Sequence, residues 1–361
     1  MSVSDPRVDP RAAEFVRARE DAGATLKSAV LEYAALRRGA RVDRWSEDVV
    51  LVDAGSGPIP FSGMNGPSCS VVGRTICDRK ELTHACLQRA GVAVAAGRSF
   101  AIDRESAARR YAREAGAPLV VKPNAAARGR GVTVGIFDLD TFREAWGRAV
   151  KAIARRLEGC VIVERHVTGD DYRCFVVDDR MISATRRVRA HVVGNDRDDV
   201  ATLIAAKNRQ RALNPYLRRY PIPTELALLD ALREAGHGLD HVPPAGAHVT
   251  LRYTSNLATG GDSVDVTDSM HPSFGEVAVA ALRAIPGMHY GGVDLLAHDV
   301  SLPASPENHV VSEIEYAPGP GPYFPVVGNP RDVAGAVLGF YLDGRGAALV
   351  GADGVPRQGA G

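Results

Sequence analysis

The sequence predicts an α+β or mixed α/β protein, and three observations carry that reading. Short apolar, β-branched runs recur along the chain, segments of helical period lie between them, and several runs sit close enough to form hairpins. The 361 residues are 45% hydrophobic and 24% charged, enough to bury a sizeable core. Single cores stop growing at roughly 250–300 residues, so two or three domains are expected. Lys and Arg number 44 against 43 Asp and Glu, a net charge of +1, which excludes the broad basic field of a nucleic-acid binder. No run approaches the ~18 apolar residues of a spanning helix, and residues 1–19 mix Asp, Glu and Arg with no apolar core, unlike a signal peptide. The five cysteines, Cys69, Cys77, Cys86, Cys160 and Cys174, form no CxxC pair and read as buried free thiols. The ten histidines show no HExxH spacing. A cytoplasmic protein without nucleic-acid or membrane partners is expected.

Element by element, residues 1–45 read as helical, with Phe15, Val16, Leu26, Val30 and Leu31 at roughly helical spacing. The β-branched run Val49–Asp53 is a buried strand, and the turn-rich stretch 54–66 a structured loop. A helix follows over 78–90, then strands over 119–123 and 132–137 and a helix over 139–157. Strand patterns recur at 161–165, 172–177 and 181–188. Helical stretches at 198–208 and 224–235 precede a strand at 248–253, and a helix at 274–284 precedes strands at 292–297 and 310–316. One amphipathic helix over 331–341 leaves a Gly- and Ala-rich tail, read as loose.

Three constellations carry chemistry. Between two strands lies Lys122-Pro123 through Arg128-Gly129-Arg130-Gly131, where glycines allow close backbone approach to an anion and flanking cations supply charge. No GK[ST] opens a helix here, and a strand rather than a helix follows the glycines, so neither a Walker A loop nor a dinucleotide fingerprint is present. Phosphate binding and a plain glycine hairpin with solvated charges both fit this loop. Next, Glu313 and Glu315 lie two apart in an apolar strand and so share a face, while Asp294 sits inside another. Buried carboxylates need cations or metal. If the strands are neighbours the three acids converge, as a hard divalent ion requires; ordinary ion pairs fit the spacing equally well. Last, Asp171 and Arg173 share a strand face and form a bland ion pair, or Arg173, Arg187 and Arg252 supply guanidinium forks for carboxylate and phosphate.

Six separated segments, spanning about Ser68 to Pro325, resemble in the same order the ATP-grasp superfamily. Within it they are similar to the amino-acid ligase module of cyanophycin synthetases and to the glutathione-synthetase domain of bifunctional bacterial enzymes. Residues 78–83 with Ala90-Gly91-Val92 look like the DKELT…AGVPVP segment, and residues 121–132 like the VKP…GRGV loop. Residues 163–173 (VERHVTGDDYR) resemble VERYVPGxDYR, and 187–194 (RVRAHVVG) resemble RxPAHVVGDG. Residues 251–261, continuing through Asp265–Asp268 and His271-Pro272, form the longest match, and 313–319 (EIEYAPG) resemble EVNAAPG.

The resemblance implies an α+β ATP-grasp fold: antiparallel sheets with flanking helices, and ATP between a lid and a C-terminal domain. The implied division is an N-terminal domain at 1–76, a lid at 77–165, a C-terminal catalytic domain at 166–342 and a tail at 343–361. By the same match, Lys80 and Lys122 contact ATP phosphates, with Arg128, Gly129 and Gly131 closing over them. Glu164, Arg165, His166 and Val167 form the adenine hinge, and Asp171 binds the ribose. Asp294, Glu313 and Glu315 hold two Mg²⁺ ions. Arg173, Arg187 and Arg252 grip the acyl phosphate and substrate carboxylates.

The implied activity is a carboxylate–amine ligase that makes an acyl phosphate from ATP and then an amide, ADP and phosphate. Phosphoryl transfer asks for positioning and charge neutralisation, which Lys, Arg and Mg²⁺ supply, and the acyl phosphate needs a lid that excludes water. Small amino acids, with glutamate or aspartate as donor, are the expected substrates, and a homo-oligomer is expected by family habit. The alternatives are a ligase for a carrier-protein or peptide acceptor and an ATP-binding regulator without catalysis; Lys80, Lys122, Asp294 and Glu313 speak against the latter. Glu315 stands where the family has Asn, Arg189 replaces the Pro of RxPAH, and Asn195-Asp196 replace DG. These changes withhold the cyanophycin substrates from this chain. At this length a second, Mur-ligase-like half has no room, so a single-step ligase is expected.

Overall fold

A computed structural model describes residues 10–125, 129–153, 159–343 and 346. The N-terminal stretch forms helices α1 (Pro10–Asp21) and α2 (Leu26–Arg37) and a meander of β1 (Arg41–Arg44), β2 (Val49–Asp53) and β3 (Pro58–Ser62). Thr25 caps α2, its side chain accepting from the Ser28 amide. The all-helical reading of residues 1–45 is therefore corrected at β1, and the loop reading of 54–66 at β3. Both prolines of β3 lie on the exposed side of this edge strand, where a missing N–H costs no ladder bond, while Ile59 and Phe61 point inward. Helices α3 (Val71–Cys77) and α4 (Lys80–Arg89) follow.

The next unit contains β4 (Gly97–Ala101), α5 (Glu105–Ala115), β5 (Leu119–Pro123), β6 (Thr133–Ile136), α6 (Leu139–Ile153) and β7 (Cys160–Arg165). Its antiparallel sheet runs β4-β7-β5-β6, and α5 and α6 cover one face through Ala108, Phe142, Trp146 and Ala149 against Val121, Ile136, Val161 and Val163. Strand β5 turns into β6 through the glycine loop, so the hairpin expected there is present. The strand β4 and helix α5 escaped the sequence reading: β4 (GRSFA) is exposed on most of its length and lacks an apolar run.

The remaining elements are β8 (Asp170–Val177), β9 (Arg180–Val188), β10 (His191–Val193), α7 (Val200–Leu213), α8 (Asp230–Glu234), β11 (His248–Thr250), β12 (Asp262–Asp265), α9 (Pro272–Arg283), β13 (Tyr290–Ala297), β14 (His309–Glu315) and α10 (Val333–Leu342). The helix expected over 224–235 is instead a 3-10 turn at Leu226–Leu228 followed by the short α8. Five strands form an antiparallel sheet in the order β12-β9-β8-β13-β14, and β10 pairs with β11.

Both faces of the large sheet are used. Cys174, Val176, Val293 and Leu295 meet Phe274, Ala278 and Leu282 of α9. On the opposite face Phe175, Val177 and Tyr290 pack with α10, α2 and the three-stranded meander in one core. Alternation along the strands then sets the side chains just beyond this second core, at the sheet's other end, facing open space. Among the described residues the five cysteines are free thiols, with Cys77 and Cys174 buried and the other three half-buried. No helix among them is long and apolar enough to cross a membrane.

Candidate active site

A cleft of about 1240 Å³ opens between the four-stranded and five-stranded sheets. Register fixes what its floor carries. Asp294 on β13 lies opposite Arg173 on β8 and opposite Glu313 on β14, while Asp171 lies opposite Arg187 on β9. Glu315 sits two further along β14, opposite Gly292. All six side chains therefore share one face. A bulge between Asp294 and Leu295 makes this possible, because the extra residue in β14 lets Val311 point to the α9 core while Glu313 faces the cleft.

The charges on this floor interlock. Arg173 binds Asp294 through two bonds, Nε to Oδ1 at 2.7 Å and Nη2 to Oδ2 at 2.9 Å. Arg187 Nη2 bridges Asp294 Oδ2 at 2.8 Å and Asp171 Oδ1 at 2.6 Å, and the Ser255 hydroxyl donates to the other oxygen of Asp171. Asp294 is 2% exposed. Burial alone would raise its pKa, but Arg173 and Arg187 outweigh burial and hold it well below the usual carboxylate range. Burial would likewise lower Arg173, and the Asp294 carboxylate outweighs it and raises the guanidinium. The simple Asp171–Arg173 pair is not formed: each residue takes a partner on the neighbouring strand, where facing side chains are closer than same-strand ones.

Two lysines reach the cleft from elsewhere. Lys80, at the start of α4, places Nζ 2.8 Å from Glu313 Oε1. Lys122 of β5 places Nζ 2.7 Å from Glu164 Oε1 of β7, both side chains 9% exposed, and the other Glu164 oxygen is buried without a partner among the described residues. His84, one helical turn beyond Lys80, also lines the cleft. Burial, then Lys122, lowers its pKa from the usual value.

Gly129 lines the cleft and Gly131 does not. Both have left-handed φ, +72° and +77°, which favour glycine. A Cβ at Gly131 would lie 2.6 Å from Ala152 Cβ on α6, so that glycine serves close packing of the loop on the helix. Arg128 lies outside the described residues. Glu164, Arg165, His166 and Val167 line the cleft as one strip leading into Asp170 and Asp171. Arg252 does not line it: this half-buried residue follows β11, with Nε buried and unpartnered among the described residues. Of the three arginines expected to act together, the fold brings Arg173 and Arg187 to one carboxylate and leaves Arg252 aside.

The carboxylate oxygens of Asp294, Glu313 and Glu315 are the hard donors that Mg²⁺ takes, and they share the sheet face, so the donor chemistry fits that ion. Among the described residues, however, no three acidic, His or Cys side chains are grouped as a metal site. The expected convergence of the three acids is thus not realised as drawn from sequence: Asp294 is turned to two arginines and Glu313 to Lys80.

The sequence reading missed Lys27, Asp48 and Tyr216, all of which line the cleft. Lys27 Nζ donates to the Ala317 carbonyl at 2.5 Å. Burial lowers its pKa against the pull of Glu315 and Asp48. Also missed were His191 and His248, stacked with ring centroids 5.4 Å apart on the two-stranded ribbon at the cleft wall. Only a tertiary arrangement brings these segments in, although Thr25 as a cap for α2 was a legible local signal.

Residues 78–211 match the family described as carbamoyl-phosphate synthase L chain, ATP binding domain. The cyanophycin synthetase of a Nostoc species is 37% identical over 269 residues, 73% of this chain and 28% of that protein. The glutathione biosynthesis bifunctional protein of Pasteurella multocida is 35% identical over 241 residues, 66% of this chain and 31% of its own length. The crystal structure of a bifunctional glutathione synthetase from Pasteurella multocida matches with a TM-score of 0.66 and 28% identity, over 88% of this chain and 44% of that one. The matches to these two curated relatives thus span under a third of either relative's length.

Proposed function

We propose, on the premise that this chain belongs to the ATP-grasp superfamily, that it is an ATP-dependent ligase joining an amino-acid carboxylate to an amine. The observation that carries this reading is the cleft floor, where Asp294, Glu313 and Glu315 share one face with Arg173 and Arg187, opposite the lysines.

In this reading Lys80 and Lys122 hold the phosphates of ATP, and the loop through Gly129 and Gly131 covers them. The strip Glu164–Val167 takes the adenine and Asp171 the ribose. Asp294, Glu313 and Glu315 would hold Mg²⁺, two ions by family analogy, which supplies charge neutralisation to the phosphates when bound. The donor carboxylate oxygen attacks the γ-phosphorus, the bond from that phosphorus to the β-phosphate oxygen breaks, and ADP leaves. The amine then attacks the acyl carbon, loses a proton, and phosphate departs with the electron pair of the broken C–O bond. Arg173 and Arg187 neutralise Asp294 while the site is empty. With substrate present they turn to the acyl phosphate, where a planar fork matches both carboxylate and phosphate. The lid sheet, with Val132 and Val134 toward the cleft, excludes water from the acyl phosphate.

Small amino acids are the substrates in this reading, with glutamate or aspartate as donor. Screening pairs of amino acids for ADP release from ATP, with mass spectrometry of the products, tests it. Amine-dependent ADP release with a product lighter than its two parts by one water is expected. ATP binding with no ADP release from any acid or amine would overturn the ligase reading and leave a nucleotide-binding regulator.

A further inference from the structure

Four cations at the centre of the cleft are held in ion pairs: Lys80 with Glu313, Lys122 with Glu164, Arg173 and Arg187 with Asp294. Lys27 is different. It lines the same cleft from the N-terminal stretch, is half-buried, and forms no ion pair among the described residues; its ammonium reaches only the Ala317 carbonyl. An ammonium has three donors, and taking it out of water is costly while they go unused. At least one donor is thus left for an anionic acceptor in the cleft.

Beside it stands the complementary group. Asp48 also lines the cleft and forms no ion pair among the described residues; its two oxygens accept from hydroxyls, Thr25 Oγ1 at 2.7 Å and Ser62 Oγ at 2.5 Å. A carboxylate offers about four lone-pair sites, so acceptor capacity remains. The two side chains are neighbours across Gly63, where a Cβ would lie 3.2 Å from Lys27 Cβ and 3.4 Å from Asp48 Oδ1. The Lys27 stem and the Asp48 carboxylate thus flank one glycine without an ion pair between the two residues, and each charge is held by neutral groups: the carbonyl of Ala317 on one and two hydroxyls on the other. That arrangement is the complement of a zwitterion.

We propose that Lys27 and Asp48 recognise the α-carboxylate and the α-ammonium of an amino-acid substrate. This rests on the ligase reading and sharpens it. Ala317, the anchor of Lys27, follows Glu315 by two residues, so an amino acid held here has its side chain free to extend over the acid–arginine floor. With both α groups engaged, the group that reacts is on the side chain. Guanidinium groups on that floor suit a carboxylate, so the substrate class is an acidic α-amino acid activated at its side-chain carboxyl. The step is that already written, with that side-chain oxygen attacking the γ-phosphorus and ADP leaving.

Calorimetry on the full chain with Mg²⁺ and the non-hydrolysable analogue AMP-PNP tests this. L-glutamate is compared with γ-aminobutyrate, which lacks the α-carboxylate, and with glutarate, which lacks the α-amine. L-aspartate is compared in the same way with β-alanine and succinate. Wild type should bind one of the two amino acids at least tenfold more tightly than either truncated form. Lys27→Met should lose that tenfold for the amino acid but under twofold for the form without an α-carboxylate, and Asp48→Asn should do the same relative to the diacid. AMP-PNP affinity should stay within twofold in both. Lys27→Arg, which keeps the charge, should retain most of the discrimination and serves if Lys27→Met fails to fold. The proposal is overturned if wild type binds neither amino acid, if the variants weaken full and truncated ligands equally, or if nucleotide affinity falls with the amino acid's. ADP release with some other carboxylic acid would remove this site and keep the ligase. Discrimination that depends on Lys27 and Asp48, with no ADP released for any amine, would keep the site and remove the ligase.

Discussion

The two sheets that face each other across the cleft handle buried charge in opposite ways. Among the described residues the strands of the four-stranded sheet commit a single buried pair, Lys122–Glu164, with one Glu164 oxygen left unpartnered. The five-stranded sheet spreads its charge over a chain of shared partners, in which Asp294 accepts from two arginines and Arg187 serves two aspartates. An isolated buried pair stands or falls with one partner, whereas a network redistributes. In the proposed reading the pair of the four-stranded sheet is therefore the simpler one to exchange for a phosphate, and the floor's network the better at holding two arginines in register.

The largest effect should come from cutting the floor at its hub. Asp294→Ala leaves Arg173 without its carboxylate and Arg187 with Asp171 alone, and removing one partner of a buried pair costs about 3–5 kcal/mol. Urea unfolding followed by circular dichroism measures that loss, and a change under about 1 kcal/mol would mean that the network is not a stabilising unit. In the four-stranded sheet, Lys122→Met should cost a similar amount by orphaning Glu164. There the double variant Lys122→Met with Glu164→Gln should recover much of the stability without recovering nucleotide affinity, because the neutral amide needs no cation. If the double variant also rebinds AMP-PNP, Lys122 is not a phosphate ligand.

Glu313→Ala separates chemistry from stability on the floor. Its side chain is 38% exposed, so melting temperature should barely move, while ADP release should fall by at least ~100-fold, the scale of a lost electrostatic contact in phosphoryl transfer. Retention of more than a tenth of the activity would take Glu313 out of the machinery.

Acid titration gives the same comparison a sign. The folded Asp294 carboxyl lies below its unfolded value of 3.8, so the unfolded chain binds the proton first. Its contribution is fully present above about pH 4 and is lost as pH falls toward about 2. Wild type should lose stability across that window, and Asp294→Asn should show a shallower slope in pH-dependent unfolding.

The smallest effects are expected in the glycine loop. Alanine in a left-handed conformation costs roughly 1–2 kcal/mol. Gly129→Ala should show about that much, since its Cβ would meet only Thr254 Cγ2 at 3.5 Å. Gly131→Ala should cost more, because its Cβ would overlap Ala152. Equal melting temperatures for the two variants would show that the loop gives way at Gly131 rather than straining.

Much of this was legible in the chain because it depends on local period. Runs such as Val161–Arg165 and Val310–Tyr316 are strands for the residues they contain, and Glu313 and Glu315 share a face by parity alone. Strands without an apolar run escaped: β12 (DSVD) is short and polar, and β3 is disguised by two prolines that only an edge position tolerates.

By itself the sequence determined the element types, the shared face of the acids and the order of the motifs, all of which are set within a few residues of chain. The tertiary structure decided which charge meets which. Asp171 turned from Arg173 to Arg187, Arg252 fell outside the cleft, and Lys27 and Asp48 entered it from a segment more than 200 residues before Asp294. Ion pairing is decided by distance in space, and strand order, a bulge and the packing of α2 against the far end of the sheet set those distances.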